Sequence, residues 1–214
     1  MFSAPKVYDQ ITDDYVQWFM GIDSAYKGKD NIEVTLTGVG RKIYVDKTIK
    51  IIKKNWIDGV TSEDIIKEIS KLAHAYGVAM ICVDVGWGVW LVEGLAKRGL
   101  NAVGVNFSEV PTPERKKSHH YAATNALNKR AEMHLDFQEL VDNNVLMVSE
   151  QVLNGIKATL PYITSERKSN GKIQIRPKAE IKMLIGHSPD EFDSVLLSLH
   201  AVIRFMGESL YAIP

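Results

Sequence analysis

The chain has 214 residues, 26 Lys and Arg against 26 Asp and Glu, and a formal net charge of zero. That is the composition of an ordinary globular protein, long enough for one large or two small domains. It argues against a non-specific, high-affinity nucleic-acid binder, a membrane span and, with Cys82 as the single cysteine, an intrachain disulfide.

One buried cysteine fits a reducing compartment. Asp9, Asp13 and Asp14 near the start are not the basic lead of a signal peptide. Charge is unevenly spread: Arg115-Lys116-Lys117, Lys129-Arg130 and Arg167-Lys168 with Lys172, Arg176 and Lys178 form local basic clusters.

Residues 1–14 read as a polar lead-in. Trp18 to Ile22 is predicted as the first strand and ends at Asp23. Ile32 to Thr37 alternates apolar and polar with period two, the mark of a half-buried strand. Lys42 to Val45 and Thr48 to Lys53 continue as strand, so the opening is antiparallel in character. Thr61-Ser62-Glu63-Asp64 is a helix start with a hydroxyl cap and first-turn acids, and Gly77 is its stop.

Val78 to Val83 is a second apolar strand, ending at Asp84, and Gly86-Trp87-Gly88 turns into a helix from Val89 to Arg98. Ala102 to Val105 is a further strand. Residues 106–117 read as a loop, about His119 to Val141 as a long helix, Val145 to Val148 as strand and Glu150 to Thr159 as helix. Asn170-Gly171 marks a hairpin tip between Leu160 to Ile163 and Ile173 to Ile175. A last helix is predicted from Ser188, with Ser188 as cap, Pro189 in the first helical position and Glu191 completing a capping box. Three antiparallel strands followed by helix, strand, helix, strand imply a mixed sheet joined by crossovers, in one domain over 1–214.

Aspartate favours strand exits on its own account. Two aspartates closing buried strands are a stronger signal, because ligands of α/β folds collect at the carboxyl ends of strands. Neighbouring strands lie about 4.8 Å apart, so Asp23 and Asp84 can share a hard cation such as Mg²⁺. Asp190 and Asp193 are three residues apart and share a helix face. Asp190 fits the helix dipole in any case; Asp193 lies further in, where that benefit fades. His187 and His119-His120 read as surface groups, with no zinc spacing around them. Lys129 and Arg130 read as a solvated helix face or as phosphate contacts. No G-x-x-x-x-G-K-[ST] phosphate loop occurs.

These motifs together resemble the C-terminal nuclease domain of large terminase subunits, the DNA-packaging motors of tailed bacteriophages. Gly21-Ile22-Asp23 resembles the first acidic motif and Cys82-Val83-Asp84-Val85-Gly86-Trp87-Gly88 the second. Asn128-Lys129-Arg130-Ala131-Glu132-Met133 resembles a segment common in terminases. Gly186 to Asp193 resembles the last motif, with Ser194 in place of its usual alanine.

The resemblance implies a ribonuclease-H-like α/β fold with an added β-hairpin near 160–176. It implies metal-dependent cutting of double-stranded viral DNA with little sequence preference, using two Mg²⁺ or Mn²⁺ ions held by Asp23, Asp84, Asp193 and the nearby Asp190. The hairpin residues Arg167, Lys168 and Lys172, with Lys129 and Arg130, are the expected DNA contacts. Implied partners are a terminase ATPase domain, absent from this chain, a small terminase subunit and a portal protein, in the cytoplasm of an infected bacterium. A Holliday-junction resolvase-like nuclease and a non-catalytic DNA or portal docking module are the competing readings.

Overall fold

The computed structural model describes residues 2–24, 31–51, 61–112 and 125–207. Its strands are β1 (Lys6–Val7), β2 (Gln17–Asp23), β3 (Ile32–Val39), β4 (Ile43–Ile51), β5 (Met80–Asp84), β6 (Ala102–Val105), β7 (Leu146–Val148), β8 (Ser165–Arg167) and β9 (Ile173–Ile175). Its helices are α1 (Ser62–Tyr76), α2 (Val89–Ala96), α3 (Lys129–Asp142), α4 (Glu150–Ile156), α5 (Lys178–Ile185) and α6 (Asp190–Met206).

Seven strands form one mixed sheet in the order β1-β7-β4-β3-β2-β5-β6, and β8 pairs with β9 in a separate hairpin. The pairings β2–β3 and β3–β4 are antiparallel, and all other pairings in the large sheet are parallel. Only β3 therefore runs against the rest. The carboxyl ends of β2, β5 and β4 and the start of β3 meet at one edge, where ligands gather in open α/β sheets.

Side chains alternate across the sheet. Met20, Ile22, Ile81 and Val83 face one core, against Ile65, Ile66 and Ile69 of α1 and Leu91 and Leu95 of α2. Phe19 and Cys82 face the other, against α3 and α6. By the same parity Asp23 and Asp84 project on the α6 side. Residues Phe192 to Ile203 of α6 are all buried, so this helix is the centre of its face. Burying each large apolar side chain contributes about 1.5–3 kcal/mol, which fixes the helix and hence its first turn.

Thr61 caps α1 in a reciprocal box with Asp64, and Gly77 closes the helix at φ 59°. Other expectations shift. α3 begins at Lys129, capped by the Asn128 side chain accepting from the Ala131 amide at 2.9 Å; the predicted start near His119 lies outside the described residues. Leu160–Tyr162 is a 3-10 turn containing Pro161, and the first hairpin strand is Ser165–Arg167 instead. Pro189, not Ser188, is the residue before α6, and no side chain caps that helix. The polar lead-in contains β1, which pairs parallel with β7.

Candidate active site

The site is built where α6 crosses β2. A Cβ on Gly21 would lie 2.1 Å from the Ser198 amide nitrogen and 2.2 Å from the Ser194 carbonyl oxygen. Only glycine lets the helix backbone come this close. Two buried hydroxyl pairs fix the contact, Thr35 with Ser194 and Thr37 with Ser198, each at 2.7 Å. Two residues along the strand, this docking brings the first turn of α6 over Asp23. Oxygens of Asp23, Asp190 and Asp193 all lie within 4.8 Å of one another.

Lys178, the first residue of α5, points its ammonium into this cluster. Its Nζ is 2.7 Å from Asp193 Oδ2, 3.0 Å from Asp190 Oδ1 and 3.3 Å from Asp23 Oδ2. Burial works against its charge, but Asp193, Asp23 and Asp190 outweigh that and hold the ammonium above the ordinary lysine range. Burial pushes the Asp23 carboxyl well up, opposed by Lys178 and assisted by the charges of Asp193, Asp190 and Asp84. Asp190 ends below its ordinary value: burial raises it, but Lys178 and hydrogen bonds from Ser188, Lys178 and Asp23 prevail. The Ser188 hydroxyl donates to Asp190 and so does not cap the helix.

Asp84 stands one strand over and outside the close set. Its strand pairs with β2 up to Ile22–Val83, and the Ser24 hydroxyl donates to the Asp84 carbonyl at 2.7 Å, tying the two strand ends. The Gly86 amide donates to Asp84 Oδ1 at 3.1 Å. Burial raises the Asp84 carboxyl; the Gly86 bond and Lys178 oppose this, and Asp193 and Asp190 add to it. Asp84 thus belongs to the same electrostatic site without touching the triad.

Glu33 adds a further acid at this edge. It is the register partner of Asp23 and pairs with Lys50 at 3.2 Å. Burial raises its carboxyl, against the pull of Lys50.

The basic residues divide. Lys129 and Arg130 are only 7% and 9% exposed, which corrects their reading as a solvated face. Lys129 Nζ pairs with Glu132 at 2.8 Å and donates to Thr112 Oγ1 at 2.5 Å. Arg130 donates to the Arg176 carbonyl at 2.8 Å. Both side chains are thus engaged inside the protein, with Arg130 Nε and Nη2 buried without a hydrogen-bond partner. Arg167 and Lys172 are exposed on the hairpin, and Lys168 pairs with Glu166 at 3.1 Å.

Sequence reasoning missed Lys178 as a site residue, and with it helix α5. The signal available was Pro177 ahead of a helix-forming run that stops at Gly186. Glu33 was missed as well.

The donors suit a hard divalent cation. They are carboxylate oxygens converging from β2 and α6, and Asp193 Oδ1 is buried without a hydrogen-bond partner. A buried carboxylate oxygen left unpaired is costly, and a metal ion satisfies it.

No protein family and no curated protein matches the chain by sequence. Solved structures do match. The nuclease domain of the large terminase subunit of bacterial virus Sf6 is 19% identical, with a TM-score of 0.65 over 86% of this chain and 88% of that one. A form of that domain with manganese and beta-thujaplicinol gives 0.64 at 19% identity and the same coverage. The large terminase nuclease from thermophilic phage G20c with bound cobalt gives 0.56 at 15% identity, over 92% of each chain. This chain has the ribonuclease-H-like fold of the nuclease domains of large terminase subunits.

Proposed function

We propose that this chain is a divalent-metal-dependent endonuclease that cuts double-stranded DNA during viral genome packaging, as the nuclease domain of a large terminase subunit. The observation that carries the reading is the convergence of Asp23, Asp190 and Asp193 on one point at the carboxyl edge of this sheet, with Asp84 one strand away. Asp23, Asp190, Asp193 and Asp84 would hold Mg²⁺ or Mn²⁺. Bound there, the metal supplies an activated water and stabilises charge on phosphorus and on the leaving 3′ oxygen.

The chain's own groups do the rest. Asp23 is held by the sheet and Asp193 by a helix whose residues Phe192 to Ile203 are all buried, so the donors are fixed in place before substrate arrives. Lys178 offsets the repulsion among the carboxylates while no metal is bound. The exposed Arg167 and Lys172, with Lys168, meet the phosphate backbone and carry little base readout. Partners in this reading are duplex DNA, a terminase ATPase domain, a small terminase subunit and a portal protein, in the cytoplasm of an infected bacterium. Residues 1–214 act as a single nuclease domain.

The test is cleavage of supercoiled plasmid with Mg²⁺, Mn²⁺ or EDTA. The unaltered protein cuts with metal and not with EDTA, and Asp23→Asn, Asp84→Asn and Asp193→Asn each lose most of the activity while keeping their circular dichroism. Cleavage that survives Asp23→Asn at the unaltered rate with Mn²⁺ overturns the assignment.

A further inference from the structure

The acids of the site belong to a longer row. Asp23 is the register partner of Glu33, and Glu33 is that of Lys50. Asp84 follows Val83, the partner of Ile22, so it stands level with Asp23. Register partners point to one face of a sheet. Asp84, Asp23, Glu33 and Lys50 thus cross four strands in line, on the face that α6 covers, and the line ends in a cation. Lys50 lies two strand spacings from Asp23, about 9.6 Å.

An exposed lysine paired with a glutamate is ordinary and contributes little on its own. Two features set this pair apart. It is lopsided: the Glu33 side chain is 7% exposed and that of Lys50 54%. The carboxylate is seated in the sheet edge and holds the ammonium above it at 3.2 Å. An ammonium has three N–H donors, and one ion pair leaves the others for a second partner. Lys50 also borders a cavity of about 220 Å³ that reaches the triad, lined by Glu33, Thr159, His187, Ser188 and Asp190 among others. That is the space of about seven waters, enough for a phosphodiester and part of its sugar.

The acids on this lining are already engaged. Glu33 pairs with Lys50, Asp190 with Lys178, and Glu191 accepts from Thr48 Oγ1 at 2.6 Å. An anion entering the cavity meets Lys50 as a cation held in place with donors to spare. A DNA strand carries one charge per about 3.4 Å of helix axis. With one phosphate over the triad, the strand brings its next phosphates across the span to Lys50.

We propose that Lys50 is a phosphate-binding residue of the nuclease site, its ammonium taking the backbone phosphate about one to three nucleotides from the cut, in the cavity beside Asp190. This rests on the nuclease reading above and adds the line that the cut strand takes, from the triad across β3 to the end of β4. The contact is to backbone and carries no base readout.

The test measures cleavage with Mn²⁺, and duplex binding across salt in EDTA, for the unaltered protein, Lys50→Ala, Lys50→Gln and Lys50→Arg, each checked by circular dichroism. Lys50→Ala should raise KM about tenfold with kcat little changed, from the usual worth of a hydrogen bond to a charged group. It should lower the slope of log K against log salt by about 0.9. Lys50→Gln still offers Glu33 a donor, so the buried acid keeps a partner; the same loss in that variant assigns it to charge and not to folding. Lys50→Arg should keep most of both KM and slope. A neutral methylphosphonate placed one to three nucleotides from a mapped cut should raise KM for the unaltered protein and add nothing further for Lys50→Ala. If Lys50→Ala keeps the unaltered KM and slope, or is penalised by the methylphosphonate as much as the unaltered protein, the inference is wrong and the nuclease reading stands. If the unaltered protein cuts DNA with neither Mg²⁺ nor Mn²⁺, the nuclease reading fails and this inference fails with it.

Discussion

Lys178 Nζ lies 2.7 Å from Asp193 Oδ2, an oxygen of a side chain with no solvent exposure, and the same ammonium reaches Asp190 and Asp23. The lysine is thus the counter-cation of the whole triad, supplied by α5 from 155 residues beyond Asp23 in the chain.

Replacing it should make the fold lean on metal. In Lys178→Met the three carboxylates repel one another with no cation among them. The metal-free protein should lose about 2 kcal/mol, below the worth of a fully buried pair because Lys178 is partly exposed. Divalent metal then restores stability by mass action on the folded state. Thermal melts with and without millimolar Mn²⁺ check this: the metal-induced rise in Tm should be larger in Lys178→Met than in the unaltered protein. An equal rise in both would mean that the lysine does not neutralise a metal site.

Gly21 is predicted to be intolerant of any side chain. In Gly21→Ala the new methyl would lie 2.1 Å from the Ser198 amide nitrogen and 2.2 Å from the Ser194 carbonyl oxygen, both backbone atoms. Backbone cannot rotate out of the way as a side chain can, so α6 must lift off β2. The expected cost is about 1–3 kcal/mol of overpacking, and Asp193 moves away from Asp23. Urea unfolding gives the stability and plasmid cleavage the activity; both should fall. A variant with normal stability and normal cutting would show that the close approach is not required.

These relationships differ in how far the sequence revealed them. Asp23 and Asp84 were legible because each ends an apolar run, and local pattern marks strand ends. Asp190 and Asp193 were legible from their spacing in a helix start. Lys178 was not, because its role arises only when α5 folds back on residues distant in the chain. Lys129 and Arg130 misled for the opposite reason. Charge on a helix usually marks a solvated face, but α3 buries Lys129, Arg130, Glu132, His134 and Asp136 together. Pairing inside the protein, as in Lys129 with Glu132, leaves no trace in periodicity. At the hairpin, Asn170-Gly171 was a sound turn signal, with Gly171 at φ 78°. The apolar run before it has the composition of a strand, but Pro161 lies in a 3-10 turn there.

His134 should make the protein acid-sensitive. It is fully buried, and its Nδ1–H donates to the Arg130 carbonyl at 2.8 Å. Burial, and then the nearby Arg130 charge, pull its pKa well below the ordinary imidazole value, against the smaller opposing effect of that hydrogen bond. The folded state therefore binds fewer protons than the unfolded state once pH falls below about 6.5. Stability is present above that pH and lost as pH falls, by up to about 1.4 kcal/mol per unit for one proton. His134→Phe removes this titration and places a ring between Phe2 and Phe192, which already meet the imidazole edge-on. Urea unfolding at pH 7 and pH 5 should show a smaller loss in the variant. Equal losses would show that His134 takes up its proton without opening the fold.

DNA binding should be salt-sensitive through the hairpin and not through α3. Each phosphate contact that releases a counterion adds about 0.9 to the slope of log K against log salt. Arg167 and Lys172 are exposed and Lys168 is half-buried, so changing all three to alanine should lower the slope by about 2 to 3. Lys129→Ala should leave the slope unchanged, because Lys129 is buried against Glu132 and Thr112. It should instead cost about 3 kcal/mol of stability, since Glu132 loses a buried counter-ion. Binding titrations across salt, paired with urea unfolding, separate the two effects. If Lys129→Ala flattens the slope while the triple hairpin variant does not, α3 rather than the hairpin meets the phosphates, and the fold must open at α3 to let it do so.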